Sequence, residues 1–474
     1  MITYFPKFCA TRATAVYIAL LLLVPLVFGN PMTWYWWVFG IVEVICFFIL
    51  GSALTKSWYA ASDRAFMINA FELAFVLRLA YVVFSYYFYI AENNSFFEFG
   101  AADSYTYHMF AEHGADMIKN GEFNFKQQFD AMGFFSRGVD ISDMGYPIGL
   151  SFWYLITTKS IVLARVLKCF ISSFTVVLVY RLAQRNFNGP VAKITAIFCV
   201  LMPNLIYYCG THLKETEMLF LTVLFIERAD SVLRGKVTVW ALIPVFLIAG
   251  LTYFFRGVLA IILILAFFTA LLLSSEKVLS KTKKVFIIGM SVVMIGVSLG
   301  NNIIEQLDLS DITQVQAQQD ANMQWRSERS GGNQFSNMAS SAVFAPLIFT
   351  LPFPTMVNIP NQETQQLLNG GNYVKNITSF FTILALFLLL FSGEWREKVL
   401  PIAFMLGYLF VLAFSNFAQS ERFHIPILPF SLMFAAYGIT QMKNKHKRWF
   451  LYWIVFIFVV NMGWTWFKLR GRGM

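Results

Sequence analysis

The sequence predicts an all-α polytopic membrane protein, on three observations. Apolar residues make up 58% of the 474-residue chain and aromatic residues 18%, against 13% charged; mean hydropathy is +0.62. The apolar residues fall in continuous runs of the length a bilayer core demands, about 20 residues for roughly 30 Å of hydrocarbon. The basic residues crowd into alternate short connections, as the positive-inside rule requires of a helical membrane protein. A strand barrel would instead show short alternating segments.

Runs near 15–29, 32–53, 67–91, 162–183, 190–209, 215–230, 238–252, 256–273, 284–300, 377–391, 399–416, 424–440 and 449–467 predict roughly 13 spans, several of them near the practical minimum length. The first follows Lys7 and Arg12, like the charged start of a signal peptide. No small-residue cleavage site stands near Phe28-Gly29-Asn30, and a second span follows at once, so an uncleaved first helix is expected. Residues 1–66 thus hold two N-terminal spans. The five cysteines (Cys9, Cys46, Cys169, Cys199, Cys209) show no CxxC spacing and fall mostly in spans. They read as buried apolar residues, not as a disulfide framework or a zinc site.

The net charge of +10 has a topological reading and implies no nucleic-acid partner. With the N-terminus cytoplasmic, Lys56, Arg64, Arg181, Arg185, Lys193, Arg228, Arg234, Lys236 and the Lys443–Arg448 cluster all fall inside. The tail Lys468-Leu469-Arg470-Gly471-Arg472 then falls outside, which predicts that one span is miscounted.

In this orientation residues 92–160 form the first outer loop. It opens on Gly100-Ala101-Ala102-Asp103-Ser104-Tyr105-Thr106-Tyr107-His108 and carries Asp103, Glu112, Asp116, Glu122, Asp130, Asp140 and Asp143. Carboxylates kept where spans meet water point to chemistry or transport. Tyr146-Pro147 opens an apolar stretch, 147–158, too short to cross; a juxtamembrane or re-entrant helix is expected, with Pro147 in its first turn, where a missing N–H costs nothing. The other outer corners are Tyr207–Glu217, Thr252–Gly257 and Asn416–Pro426, with the larger segment 301–375 between the last two. Within that segment, Phe344–Val357 is broken by Pro346, Pro352 and Pro354, so a surface or re-entrant element is expected. No repeat or separate soluble domain is visible, so 1–474 reads as one membrane domain.

The unusual polar residues gather on the outer side: Asp103, Asp143, His212, Lys214, Glu215, Glu217, Arg256, Arg422 and His424. Carboxylates there accept a proton from a hydroxyl or hold a divalent cation, and arginine forks pair with phosphate. Each residue also has a plain alternative. Arg256 and Arg422 at span ends snorkel readily, interfacial histidines are commonly no ligands, and Lys214 and Glu217, three apart, form an ordinary surface pair.

In order and topology, residues 100–440 resemble the GT-C superfamily of polyprenyl-phosphate-sugar-dependent glycosyltransferases, nearest to glycosyltransferase family 39, the protein mannosyltransferases and lipid A aminoarabinose transferase. The resemblance rests on Asp103-Ser104-Tyr105-Thr106-Tyr107, Tyr146-Pro147, Arg165, Tyr180-Arg181-Leu182-Ala183, and Pro203 with Tyr207-Tyr208, Gly210 and Glu215. It continues through Gly250-Leu251-Thr252 with Arg256 and ends at Arg422-Phe423-His424-Ile425-Pro426. Four departures are a serine, Ser104, where the family often has a second acid, the longer run into Arg256, two spans before the family's usual first helix, and the missing soluble C-terminal domain.

The resemblance implies a GT-C-type bundle with juxtamembrane helices in its outer loops; the charge bias sets the active site on the outer face, and with no eukaryotic sorting signal in the sequence the periplasmic side of a bacterial inner membrane is expected. The resemblance implies that Asp103 is the general base, with Glu215 positioning the acceptor, or that Asp103 and Glu215 hold a divalent cation, Mg or Mn. Arg256 and Arg422, with Lys214, would neutralise the leaving phosphate. Tyr107, Asp143, Tyr146, Arg165, His212 and His424 would contact substrate. The partners implied are a polyprenyl-phosphate sugar, membrane lipid and a glycan, lipid or protein acceptor, with 301–375 as the acceptor-facing cover. Three other readings stay open: an O-antigen ligase or polymerase with a lipid-diphosphate donor, a lipid or glycan transporter using Glu43, Glu72 and Arg78 within spans, and a structural or assembly membrane protein. No Walker-type phosphate loop and no HExxH occurs.

Overall fold

The computed structural model describes residues 2–124, 127, 143–235, 238–276, 278–285, 287–289, 345–359, 362–415 and 417–470. Every regular element among them is helical. Seven helices are long and apolar enough to cross a membrane: α1 (Lys7–Phe28), α2 (Trp34–Ser57), α3 (Asp63–Asn93), α6 (Ile161–Asn186), α13 (Asn369–Ser392), α15 (Glu421–Thr440) and α16 (Asn444–Arg470). Shorter apolar helices are α7 (Gly189–Leu201), α10 (Val239–Tyr253), α11 (Gly257–Leu273) and α14 (Val399–Ala413). The remainder are α4 (Ala102–Lys119), α5 (Gly145–Thr157), α8 (Pro203–Tyr207), α9 (Glu215–Arg234) and α12 (Glu363–Leu367). Large apolar side chains stand exposed around the bundle, Leu26 at 80%, Trp240 at 82% and Phe391 at 84%. Apolar exposure on this scale needs a lipid environment, and the chain is an integral membrane protein.

Local chemistry sets the boundaries. Ser62, Ser160 and Asn188 cap α3, α6 and α7 by accepting from Ala65, Leu163 and Val191 N–H. Gly393, at φ 76°, ends α13 in the left-handed conformation that glycine adopts without strain. The expected span 190–209 breaks between α7 and α8 because Pro203 has no N–H to give Cys199 O. Arg78 of α3 supplies the missing donors: its Nη2 reaches Cys199 O at 3.0 Å and its Nη1 reaches Val200 O at 3.3 Å, while Nε donates to Ser172 at 2.7 Å.

The expected span 215–230 forms α9, but it carries Glu215, Glu217, Glu227, Arg228 and Asp230 and packs among α6, α10 and α11. Apart from its first residues, the expected span 284–300 lies outside the described residues.

Contacts sort the connections into two ends. At the basic end Arg185 pairs with Glu227 at 2.8 Å and Asp230 at 3.1 Å, and Arg234 donates to Glu397 O at 2.6 Å. Lys193 holds Tyr59 O and Ala61 O there, and Lys283 holds Gly235 O. At the opposite end Asn358 N donates to Asn30 O at 2.9 Å, Thr364 to Phe99 O at 3.0 Å and Gly145 N to Phe254 O at 2.8 Å.

The first two helices belong to the core: Tyr17 packs on Tyr373 with centroids 4.9 Å apart, and Glu43 accepts from Gly371 N at 3.0 Å, capping the start of α13. Around Pro346, Pro352 and Pro354, residues 345–359 form a 3-10 turn and a largely irregular path, as the prolines predict. That path is buried, with Leu351, Met356 and Val357 fully covered.

Candidate active site

Helix starts build the site. Asp103 lies in the first turn of α4, Glu215 in that of α9 and Arg422 in that of α15, while Arg256 immediately precedes α11. The carboxylates gain from the positive ends of α4 and α9. Arg422 is on the wrong end of its own helix, and what compensates it is the acid it meets. Its Nε donates to Glu215 Oε1 and its Nη1 to Asp103 Oδ2, so one fork bridges the two carboxylates. Glu215 is wholly buried under Arg422, while Asp103 stays 55% exposed.

Beside this bridge Lys214 donates to Asp143 and, at 2.6 Å, to Phe255 O. Burial, and next the charge of Arg256, brings the Lys214 ammonium down to about 7. The Arg256 guanidinium lies 4.4 Å over the Phe423 ring, and its buried Nη1 meets no hydrogen-bond partner. These groups open on a cavity of about 530 Å³ whose lining includes Asp103, Tyr107, Asp143, Lys214, Arg256 and Arg422. Its other wall comes from Phe353, Asn369, Asn372, Gln419, Trp464 and Lys468.

Four of the expected substrate contacts lie elsewhere. Tyr146, Arg165 and His212 sit beneath the cavity in a buried cluster. Arg165 Nη2 donates to Phe96 O at 2.7 Å, with Glu98 as its main countercharge. His212 Nε2 meets Tyr154 Oη at 3.0 Å, and Tyr154 Oη meets His108 Nδ1 at 2.7 Å. Burial, with the charges of Arg165 and Lys168, pushes His212 well below its ordinary value and keeps it neutral. The Tyr146 ring packs edge-on against Tyr107 and faces the Lys168 ammonium at 5.5 Å. His424 turns inward: Nδ1 pairs with Lys375 Nζ and Nε2 with Ala418 O at 2.8 Å. Polar residues at one corner of the sequence thus separate into those facing the cavity and those holding its floor.

Sequence reasoning missed Lys375, Lys168 and the far wall. Lys375 also donates to Leu351 O, so one ammonium joins the 345–359 segment to the turn before α15. Lys168 donates to Thr211 O and Leu213 O and fixes the turn that delivers Lys214. The basic tail did give a signal for the far wall, since Lys468 lines the cavity. Asp130, Asp140 and most of 301–375 lie outside the described residues.

The donor set does not fit a divalent cation as expected. Asp103 and Glu215 each already give an oxygen to the Arg422 fork, Asp143 is paired with Lys214, and Arg256 adds further positive charge. No group of three or more His, Cys, Asp or Glu with metal-ligand spacing occurs among the described residues.

Fold and site define an integral α-helical membrane protein with an acid–base cavity at one end of its bundle. No protein-family model matches the chain, and no curated protein does.

Proposed function

We propose that the chain is a GT-C-type glycosyltransferase that moves a sugar from a polyprenyl-phosphate donor to a hydroxyl of a glycan, lipid or protein acceptor. The cavity end would face the periplasm of a bacterial inner membrane, opposite the basic end. One observation carries the reading: a carboxylate, Asp103, shares a cavity with Arg256, whose buried Nη1 has no hydrogen-bond partner among the described residues. The acceptor oxygen attacks the anomeric carbon as Asp103 takes its proton. The bond from that carbon to the phosphate oxygen breaks, and polyprenyl phosphate leaves with the electron pair. Arg256 and the Lys214 ammonium stabilise the charge that develops on it. A single displacement inverts the anomeric centre.

Arg256, Lys214 and Lys468 are the cationic side chains of the cavity besides Arg422, which is divided between two carboxylates. Transport gains little support, since Arg78 and Glu43 are taken up in capping backbone groups.

The test is transfer of labelled sugar from synthetic polyprenyl-phosphate donors by purified protein, wild type beside Asp103→Asn, with and without divalent cations. Turnover that vanishes in the variant supports the reading. No turnover with any monophosphate donor sinks it and favours the ligase or transport readings.

A further inference from the structure

Beyond the charged groups, the cavity holds an unmet hydrogen-bonding demand. The Gln419 side chain has both its carboxamide oxygen and its nitrogen buried without a partner, and Gln419 lines the cavity. A buried amide left with both halves unpaired is costly, and in a native fold it calls for a ligand or another account.

The turn carrying Gln419 is held firmly. Phe417 and Phe423 stack at 4.5 Å across it, and His424 Nε2 meets Ala418 O at 2.8 Å. The same Phe423 ring lies under Arg256, so Gln419 has a fixed relation to the guanidinium assigned to the phosphate. Phe353 and Trp464 also line the cavity, with ring centroids 6.1 Å apart, and the Lys468 ammonium lies 5.0 Å over the Trp464 ring. A carboxamide offers one donor and one acceptor side by side, the complement of two adjacent hydroxyls. At about 530 Å³ the cavity has the size of a small-molecule site.

We propose that this end of the cavity is a sugar subsite, in which the Gln419 carboxamide reads a vicinal pair of hydroxyls on an uncharged hexose. The inference rests on the lipid-phosphate reading and names the substrate class it acts on. Gln419 determines which glycosyl group is accepted, while Arg256 holds the phosphate whatever the sugar.

The experiment measures binding to purified protein of farnesyl methyl phosphate and of the β-glucosyl, β-mannosyl and β-galactosyl farnesyl phosphates. All are diesters of the same charge, so the affinity ratio isolates the sugar. At least one glycosyl diester is expected to bind wild type more tightly than the methyl diester, and Gln419→Leu to cut that ratio about tenfold or more. Should the leucine variant fail to fold, the near-isosteric Gln419→Glu, which removes the donor half, takes the same readout.

A ratio unchanged by the substitution overturns the subsite. So does a wild type that binds the methyl diester and gains nothing from any of the three sugars. A wild type that binds none of the diesters removes the lipid-phosphate reading itself, and this inference with it.

Discussion

Arg422 neutralises Glu215, which is fully buried, and Asp103, which is half open to the cavity. Removing the guanidinium strands the buried carboxylate. Arg422→Met is therefore expected to cost about 3–5 kcal/mol of stability, the usual result of breaking a buried pair from one side. Adding Glu215→Gln should restore much of that loss, because the stranded charge is gone. Thermal unfolding of the two variants in one detergent checks this; equal destabilisation in both would show that the bridge is not what holds the corner.

Lys214 supports a second prediction. Its ammonium ionises near 7 in the folded site, below the ordinary lysine value of about 10.4. Between those values the unfolded chain binds more protons, so this group makes stability rise with pH across the interval. An anion in the cavity favours the charged form. Binding of farnesyl phosphate at pH 8 should then take up a proton, giving a calorimetric heat that varies with the buffer's ionisation enthalpy. Lys214→Met should abolish that variation, and a buffer-independent heat in wild type would refute the assignment.

At this scale the sequence was informative about charge and silent about direction. Asp103, Lys214, Glu215, Arg256 and Arg422 stand out because ionised groups at span ends are expensive. His424, two residues from Arg422, carries the same signal yet faces Lys375. Nothing in a linear string says which way a side chain turns.

Among the elements, α13 and α15 pack closely enough that a Cβ on Gly438 would run into Phe381 O. Thr382 Oγ1 donates to Ser431 O at 2.9 Å along the same seam, a small-residue contact of the kind that joins helices in lipid. Gly438→Ala is expected to cost roughly 1–3 kcal/mol by overpacking, read as a lowered unfolding temperature; an unchanged midpoint would mean the seam has slack.

The Lys375 pin gives a further test. Lys375→Met should free the 345–359 segment, raising its amide exchange while exchange across α6 stays as in wild type. Uniform change over the chain would point to general destabilisation instead.

Long apolar runs made most helices readable, while the boundaries that failed are those where polar groups are satisfied inside the bundle. The expected span start at 377 comes late because α13 begins at Asn369 and buries Asn369, Asn372, Lys375 and Asn376. Asn369 exchanges hydrogen bonds with Thr355 and Asn376 donates to Pro352 O, partners hydropathy cannot anticipate. The break at Pro203 likewise depends on Arg78, more than a hundred residues away in sequence.

For the whole molecule, the two termini decide the topology. Ile2 N donates to Thr440 O, which places the N-terminus at the end where α15 finishes and α16 starts. Lys468 lines the cavity at the other end. The chain therefore passes between the ends an odd number of times. Lys284, bonded to Ser274 O at 2.8 Å, lies at the basic end, whereas Pro352 and Phe353 line the cavity.

Lys468 of the basic tail is part of the cavity lining, and the Lys443–Arg448 cluster stands at the start of α16, at the other end. The resulting prediction is that the termini lie on opposite faces of the membrane. A green fluorescent protein that matures only in the cytoplasm should light up at the N-terminus and stay dark at the C-terminus. Alkaline phosphatase, active only after export, should show the reverse. Both reporters active on one face would contradict the odd count and with it the placement of Lys468 beside Asp103. Opposite faces, with phosphatase active at the C-terminus, would set the cavity on the exported side, where a lipid-linked sugar has no soluble nucleotide donor to compete with it.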